Sequence, residues 1–282
     1  SIVTATQCTI PLSSLTAAPF SLVLDDTINF EVQATNAYGD SGYSEIGGGA
    51  LIQLVPYAPV DVIVDPANTS ATQISFTWND GSSDGGAAVI DYSIYYDQST
   101  STWIELDNAI AIKSYTTSIT LIEGHTYAFK VKARNSVGYG ELSSEVSILA
   151  AQIPEQPSAP ATTIDGDDVV ITWDLPDING SPITAYTITI RESDDLTLTE
   201  TLVTCDGSLS TIVDTRTCSV PISTLRTTPY NLAWGSSIYA IVSASNLYGT
   251  SIESTAGNGA IILTVPDSPI NLSNVPALTA AA

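Results

Sequence analysis

Thr126-Tyr127-Ala128-Phe129-Lys130-Val131-Lys132-Ala133-Arg134-Asn135-Ser136-Val137-Gly138 decides the fold of this chain. Tyr127, Phe129, Val131 and Ala133 stand at every second position. Successive strand side chains point to opposite faces, so this alternation predicts a strand with one face in a core. The run ends in N-x-x-G, and the same ending recurs at Asn36-Ala37-Tyr38-Gly39 and Asn246-Leu247-Tyr248-Gly249. Ile28, Phe30, Val32 and Ala34 precede the first copy, and Ile238, Ala240, Val242 and Ala244 precede the third. The intervals between the three motifs are 99 and 111 residues.

Around these strands the repetition is longer. Residues 8–59 align without a gap on 218–269, with 21 of 52 positions identical. A repeat of this length makes the chain an array. Each motif is followed by a Pro-rich joint: Pro56-x-x-Pro59, Pro154-x-x-Pro157 and Pro266-x-x-Pro269. Proline fixes its own φ and pushes the preceding residue to extended geometry, so these joints read as stiff spacers. A unit of about 100 residues is the size of one small β-sandwich.

Alternation continues elsewhere. Ile74-Ser75-Phe76-Thr77-Trp78, Val170-Ile171-Thr172-Trp173 and Tyr186-Thr187-Ile188-Thr189-Ile190 all carry it, and Gly and Asp clusters such as Asp80–Gly86 separate the runs. No stretch holds a helical period. Short strands with turns between them and no helices predict an all-β array of sandwiches.

The order of motifs is Trp on an early strand, a Gly-rich loop, I-x-x-Y, then Y-x-F-x-V-x-A-x-N-x-x-G. It resembles the fibronectin type III domain. The matching residues are Trp78, Tyr92, Tyr127, Phe129, Val131, Ala133, Asn135 and Gly138 in one module. They are Trp173, Tyr186, Val242, Ala244, Asn246 and Gly249 in the next. The resemblance implies tandem immunoglobulin-like sandwiches joined by short Pro-rich linkers. Residues 1–55 would be the C-terminal half of one module, 56–153 and 154–265 complete modules, and 266–282 the start of another. The chain would then be a window on a longer array. Two departures stand out. The family often has a tyrosine at the corner before the late strand; Tyr127 fits, but Ile28 and Ile238 stand there in the other copies. The outer modules also carry cysteines. That cysteine-bearing pattern, C-x-[IV]-P-x-S-x-L, is similar to domains of very large repetitive secreted or surface proteins of ciliate-like single-celled eukaryotes.

Composition narrows the function. Thirty acidic residues face 7 basic ones, which argues against nucleic acid and anionic membrane surfaces, since both call for a basic stripe. Charged residues make up only 13% of the chain, and Ser and Thr fill roughly a quarter of it. Lysine occurs only at Lys113, Lys130 and Lys132, too few to guard sheet edges. Shielding by glycans or by neighbouring chains is the expected substitute. No apolar run is long enough to span a membrane.

Cys205 and Cys218 are expected to pair, closing a loop worth about 3 kcal/mol. Cys8 aligns with Cys218, and its partner would fall upstream of residue 1; a buried free thiol is the alternative. A disulfide implies an extracellular protein. Three sequons, at Asn68, Asn179 and Asn271, are glycosylation candidates.

The inventory offers little chemistry. His125 is the single histidine, so a Ser-His-Asp triad has one possible centre. Zinc needs clustered His or Cys. Glycines 47–49 and 85–86 lack the lysine and helix of a phosphate cradle. Calcium is the one metal to weigh, with Asp80 and Asp84, or Asp165, Asp167 and Asp168, as weak oxygen donors. No cofactor and no catalysis are expected, and no RGD tripeptide is present. The leading expectation is a structural repeat of an extracellular filament, sheath or coat, packing on copies of itself or neighbouring modules. The alternative is an ectodomain spacer or ligand-binding arm of an adhesion protein or receptor.

Overall fold

The computed structural model describes residues 6–263 together with 269, 270 and 273. The chain divides into two compact units, Ser1–Ala151 and Gln152–Ala282.

In the first unit, residues 60–149 form a two-sheet sandwich. Strands Val60–Val64, Ser75–Asn79 and Ser114–Thr116 make one sheet, with Ser75–Asn79 central. The other sheet runs Tyr139–Leu142, Thr126–Arg134, Asp91–Tyr96, Ile104–Ile110, and Val146–Leu149 pairs with the other end of Thr126–Arg134. All pairings are antiparallel, as hairpin-connected strands allow. The alternation read at 126–133 is the burial pattern of the strand: Tyr127, Phe129, Val131 and Ala133 are buried. They meet Ile74, Phe76 and Trp78 from the opposite sheet and Tyr92 and Ile94 from their own. Phe76 and Phe129 pack with ring centroids 4.9 Å apart, and both are fully buried. Each such side chain contributes about 1.5–3 kcal/mol by leaving water.

The second unit repeats the plan. Ala161–Asp165, Asp168–Thr172 and Thr217–Pro221 form one sheet, and Leu198–Glu200, Ala185–Arg191, Ala240–Asn246 and Gly249–Thr250 the other. Ile188, Ile190, Val242 and Ala244 face Val169, Ile171 and Val220 in its core. Trp173 stands edge-on to Tyr186 at 5.1 Å, as Trp78 does to Tyr92 at 5.3 Å.

Sequence reading expected no helices, yet among the described residues short ones occur at Leu12–Thr16, Ser210–Thr215 and Ile222–Leu225. Each is one or two turns long, too short to show a helical period. The first and third are the same motif in the two repeat copies. Each follows a proline, Pro11 and Pro221, and buries its closing leucine, Leu15 and Leu225.

Residues 8–53 repeat the backbone pairing of 218–263. Thr27 pairs with Leu51 and Ile28 with Ala50, and Ser237–Ile261 and Ile238–Ala260 hold the same register 210 residues later. The hairpins Thr35–Asp40 and Ser245–Thr250 also correspond. Among the described residues, the first copy has no counterpart of the strands that 161–200 give the second.

Candidate interaction surface

The asparagine of each N-x-x-G motif is a knot. Asn135 Oδ1 accepts from Val137 N–H and Gly138 N–H at 2.9 and 3.1 Å, which shapes the turn. Its Nδ2 donates to Leu54 O at 2.7 Å and Asp84 O at 2.8 Å. Leu54 belongs to the joint entering the module, so one buried amide ties joint, loop and late strand together. Asn246 does the same: Nδ2 donates to Gln152 O at 2.8 Å, and Oδ1 accepts from Tyr248 N–H at 2.8 Å. A primary amide has two donors and a two-lone-pair acceptor, which is why Asn serves here and Asp cannot. Sequence reading used this residue as a repeat marker and as part of the family motif, without its bonding role. Its spacing three residues before glycine was the available signal, but its partners lie 51 and 81 residues away.

Serines pin the late strand in a second way. Val131 N–H donates to Ser143 Oγ at 2.9 Å, and Val242 N–H to Ser254 Oγ at 3.0 Å. Tyr127 supplies the corner bond in its module, its hydroxyl accepting from Ile122 N–H at 3.0 Å. At the equivalent Ile238 burial replaces that bond.

Residues 8–55 expose an apolar face. Ile10, Phe20, Phe30 and Val32 are 53%, 60%, 57% and 62% exposed. Their counterparts Val220, Tyr230, Ala240 and Val242 are buried. Beside this face, an apolar groove of about 840 Å³ follows the joint, walled by Leu12, Leu54, Val55, Tyr57, Val60 and Val137.

The remaining residues singled out from sequence fall as follows. Cys205 and Cys218 are joined in a disulfide with Cα atoms 5.4 Å apart. It links the turn after Leu198–Glu200 to the strand Thr217–Pro221, and both cysteines are buried. Cys8 is exposed and unbridged among the described residues. Asn68 ends a short 3₁₀ turn at the surface, its Nδ2 donating to Asp65 Oδ2 at 2.7 Å. Asn179 is buried, with Nδ2 donating to Ile153 O at 2.7 Å. Asn271 lies outside the described residues. His125 is exposed, its ring 6.5 Å from that of Tyr127.

The acidic candidates do not converge. Asp80 bonds the Tyr92 hydroxyl and, at 2.6 Å, Lys113 Nζ. Partial burial pushes its pKa up, but the bonds from Lys113 and Tyr92 outweigh this and hold it below the ordinary carboxylate value. Burial, then the Asp80 carboxylate, push Tyr92 well above an ordinary phenol. Asp84 Oδ1 accepts from Gly86 N–H at 2.9 Å. Asp165 and Asp168 pair across the hairpin that Gly166 and Asp167 turn. Among the described residues no three His, Cys, Asp or Glu side chains are grouped to hold a metal. An acidic turn missed in the sequence is Asp194, held at a pKa of about 2 by the Thr197 hydroxyl and the amides of Thr197 and Leu196.

All seven basic side chains have partners within the chain. Lys130 lies 4.0 Å above the Trp103 ring, Arg191 4.1 Å above Tyr239 and Arg226 3.9 Å above Trp234. Lys132 and Arg134 share Tyr139, and Arg134 also makes a two-pronged pair with the buried Asp91. Lys113 pairs with Asp80, and Arg216 donates to Asp214 O at 2.9 Å. Lysine and arginine thus cover aromatic rings, a cation–π use of scarce charge.

Residues 57–148 match the Fibronectin type III domain. Fasciclin-2 of Schistocerca americana is 28% identical over 195 residues, 63% of this chain and 21% of that protein. Cell adhesion molecule DSCAM of Homo sapiens is 26% identical over 179 residues, 60% of this chain and 8% of that protein. The crystal structure of the chicken CNTN1 FN1–FN3 domains is 18% identical, with 84% of this chain and 78% of that chain covered and a TM-score of 0.39. This chain spans about a fifth or less of the curated relatives named here. The match at 57–148 and the paired antiparallel sheets of the described residues make this an all-β, immunoglobulin-like fold.

Proposed function

We propose that this chain is a spacer or ligand-binding arm in the ectodomain of an adhesion protein or receptor. The similarity over 60% of the chain to a protein named as a cell adhesion molecule carries this reading. The chemistry of the chain supports it. A disulfide suits an oxidising compartment. A chain of net charge −23 whose cations are all engaged internally favours protein partners over polyanions. The asparagine knots hold module and joint through buried hydrogen bonds, as an arm that transmits position requires. No catalytic role is proposed, and glycans are proposed at Asn68, the sequon at the surface.

The filament or coat reading is favoured by a different observation, the repeat of 8–59 at 218–269 with unit length preserved. Repetition at this identity, and the similarity to repetitive ciliate-like surface proteins, suit a stacking device. Electron microscopy of the purified chain at high concentration separates the two. Single monodisperse particles are the expected outcome. Ordered filaments would replace the arm reading with the filament one.

A further inference from the structure

One loop occurs in both units with the same bonds and different side chains. Gln152 N–H donates to Asn179 O at 3.0 Å, as Leu54 N–H does to Gly85 O at 2.8 Å. Asn246 Nδ2 reaches Ser181 O at 3.4 Å, as Asn135 Nδ2 reaches Ala87 O at 3.4 Å. Between them Gly180 and Gly86 hold φ of +79° and +77°. Asn179 therefore stands at the place of Gly85, and Ser181 at the place of Ala87.

Gly85-Gly86-Ala87 shows that this loop folds with neither an amide nor a hydroxyl. Position 179 alone decides nothing, since asparagine tolerates the left-handed backbone that its φ of +49° requires. Ser181 is different. It is fully buried, and its Oγ has no hydrogen-bond partner among the described residues. Burying an unpaired hydroxyl costs stability, which alanine would avoid. What the hydroxyl does supply is the third position of Asn179-Gly180-Ser181, the acceptor pattern for N-linked oligosaccharide. Yet the acceptor atom is closed in the folded chain. Asn179 is 7% exposed, and its Nδ2 donates to Ile153 O at 2.7 Å. The joint is bonded to this loop again where Glu155 N–H donates to Asp177 O at 2.9 Å. A sugar on Nδ2 has no room while the joint lies there.

From this we infer that Asn179 accepts an N-linked oligosaccharide only before the second unit closes, and that the attached glycan then keeps the joint at 152–155 off its module. In the unfolded segment Asn179 Nδ2 attacks the anomeric carbon of an oligosaccharide carried on a lipid pyrophosphate. A carbon–nitrogen bond forms, and the carbon–oxygen bond to pyrophosphate breaks. The lipid pyrophosphate leaves with the electron pair, and one Nδ2 proton goes to solvent. The chain thus has two forms, one with the joint docked and one with it released. The inference rests on the extracellular placement in the arm reading and deepens it, naming a modification that sets the stiffness of the arm at this joint.

The test secretes the full chain from eukaryotic cells that attach N-linked glycans and reads occupancy at each sequon by peptide mass. Cys205→Ser, which loosens the second unit, is expected to raise occupancy at Asn179 at least about threefold over the unaltered chain and to leave Asn68 unchanged. Ser181→Ala is expected to abolish the Asn179 glycan without lowering the melting temperature of the chain. In an Asn68→Gln, Asn271→Gln background a lectin column separates the two forms. The Gln152 and Glu155 amides are then expected to exchange at least about tenfold faster in the glycosylated form. No glycan at Asn179 even in Cys205→Ser, or unchanged exchange at Gln152 and Glu155, overturns the proposal. A lower melting temperature in Ser181→Ala gives the hydroxyl a structural role and overturns it too. Asn68 tells the two readings apart: glycan at Asn68 beside a bare Asn179 sinks this inference alone, and two bare asparagines count against a glycosylated ectodomain as well.

Discussion

At the residue scale the asparagine knot is the most consequential feature. Asn135 is 2% exposed and makes bonds to a turn, a loop and a joint. Asn135→Ala leaves buried carbonyls without donors and is expected to cost about 2–3 kcal/mol, read by urea denaturation of the full chain. Asn246→Ala is expected to do the same in the second unit. Ionisation adds a second residue-scale expectation. Burial pushes the phenols of Tyr115, Tyr186 and Tyr230 above their ordinary value, as it does Tyr92. A folded pKa above the unfolded one of about 10 gives stability that is complete below that pH. It is lost as pH rises through the folded value. The depressed Asp80 acts in the opposite direction, contributing above an ordinary carboxylate pKa and losing that share as pH falls through its folded value. Melting temperature is therefore expected to fall above about pH 10, with the last part of the tyrosinate absorbance at 295 nm appearing only on unfolding. Ionisation of all thirteen tyrosines before any unfolding would contradict the buried phenols.

At the scale of elements, alternation was legible and long-range partners were not. The buried face of Thr126–Arg134 was readable because a strand with one wet face carries its pattern in every second residue. Cys205–Cys218 was readable because two cysteines lie close in one module. The knots, the serine pins and the rings under Lys130, Arg191 and Arg226 were not, because each joins residues whose proximity depends on the finished sandwich. The short helices were missed for want of length. Joint docking belongs here too. A Cβ at Gly140 would fall on Pro56 O, so Gly140→Ala forces the joint away from its module. The expected cost is about 1–3 kcal/mol, with the melting temperature as readout and Gly42→Ala, which meets open space, as the neutral control. The disulfide closes a short loop around the Ser210–Thr215 helix, and Cys205→Ser is expected to cost about 3 kcal/mol, seen as earlier unfolding of the second unit alone.

At the scale of the whole molecule, one sequence occurs twice, and among the described residues the second copy is buried where the first is exposed. The repeat was legible from 21 identities in 52; the difference in burial was not, since both copies carry the same apolar pattern. Amide hydrogen exchange tests this most directly, because Val32 N–H and Val242 N–H make the same 3.0 Å bond to a serine hydroxyl. Any difference in their exchange reports the covering strands and not the local bond. Val242 and Ala244 are expected to exchange at least about 100-fold more slowly than Val32 and Ala34, since only the former open with their whole sandwich. Equal protection in the two copies would contradict the account.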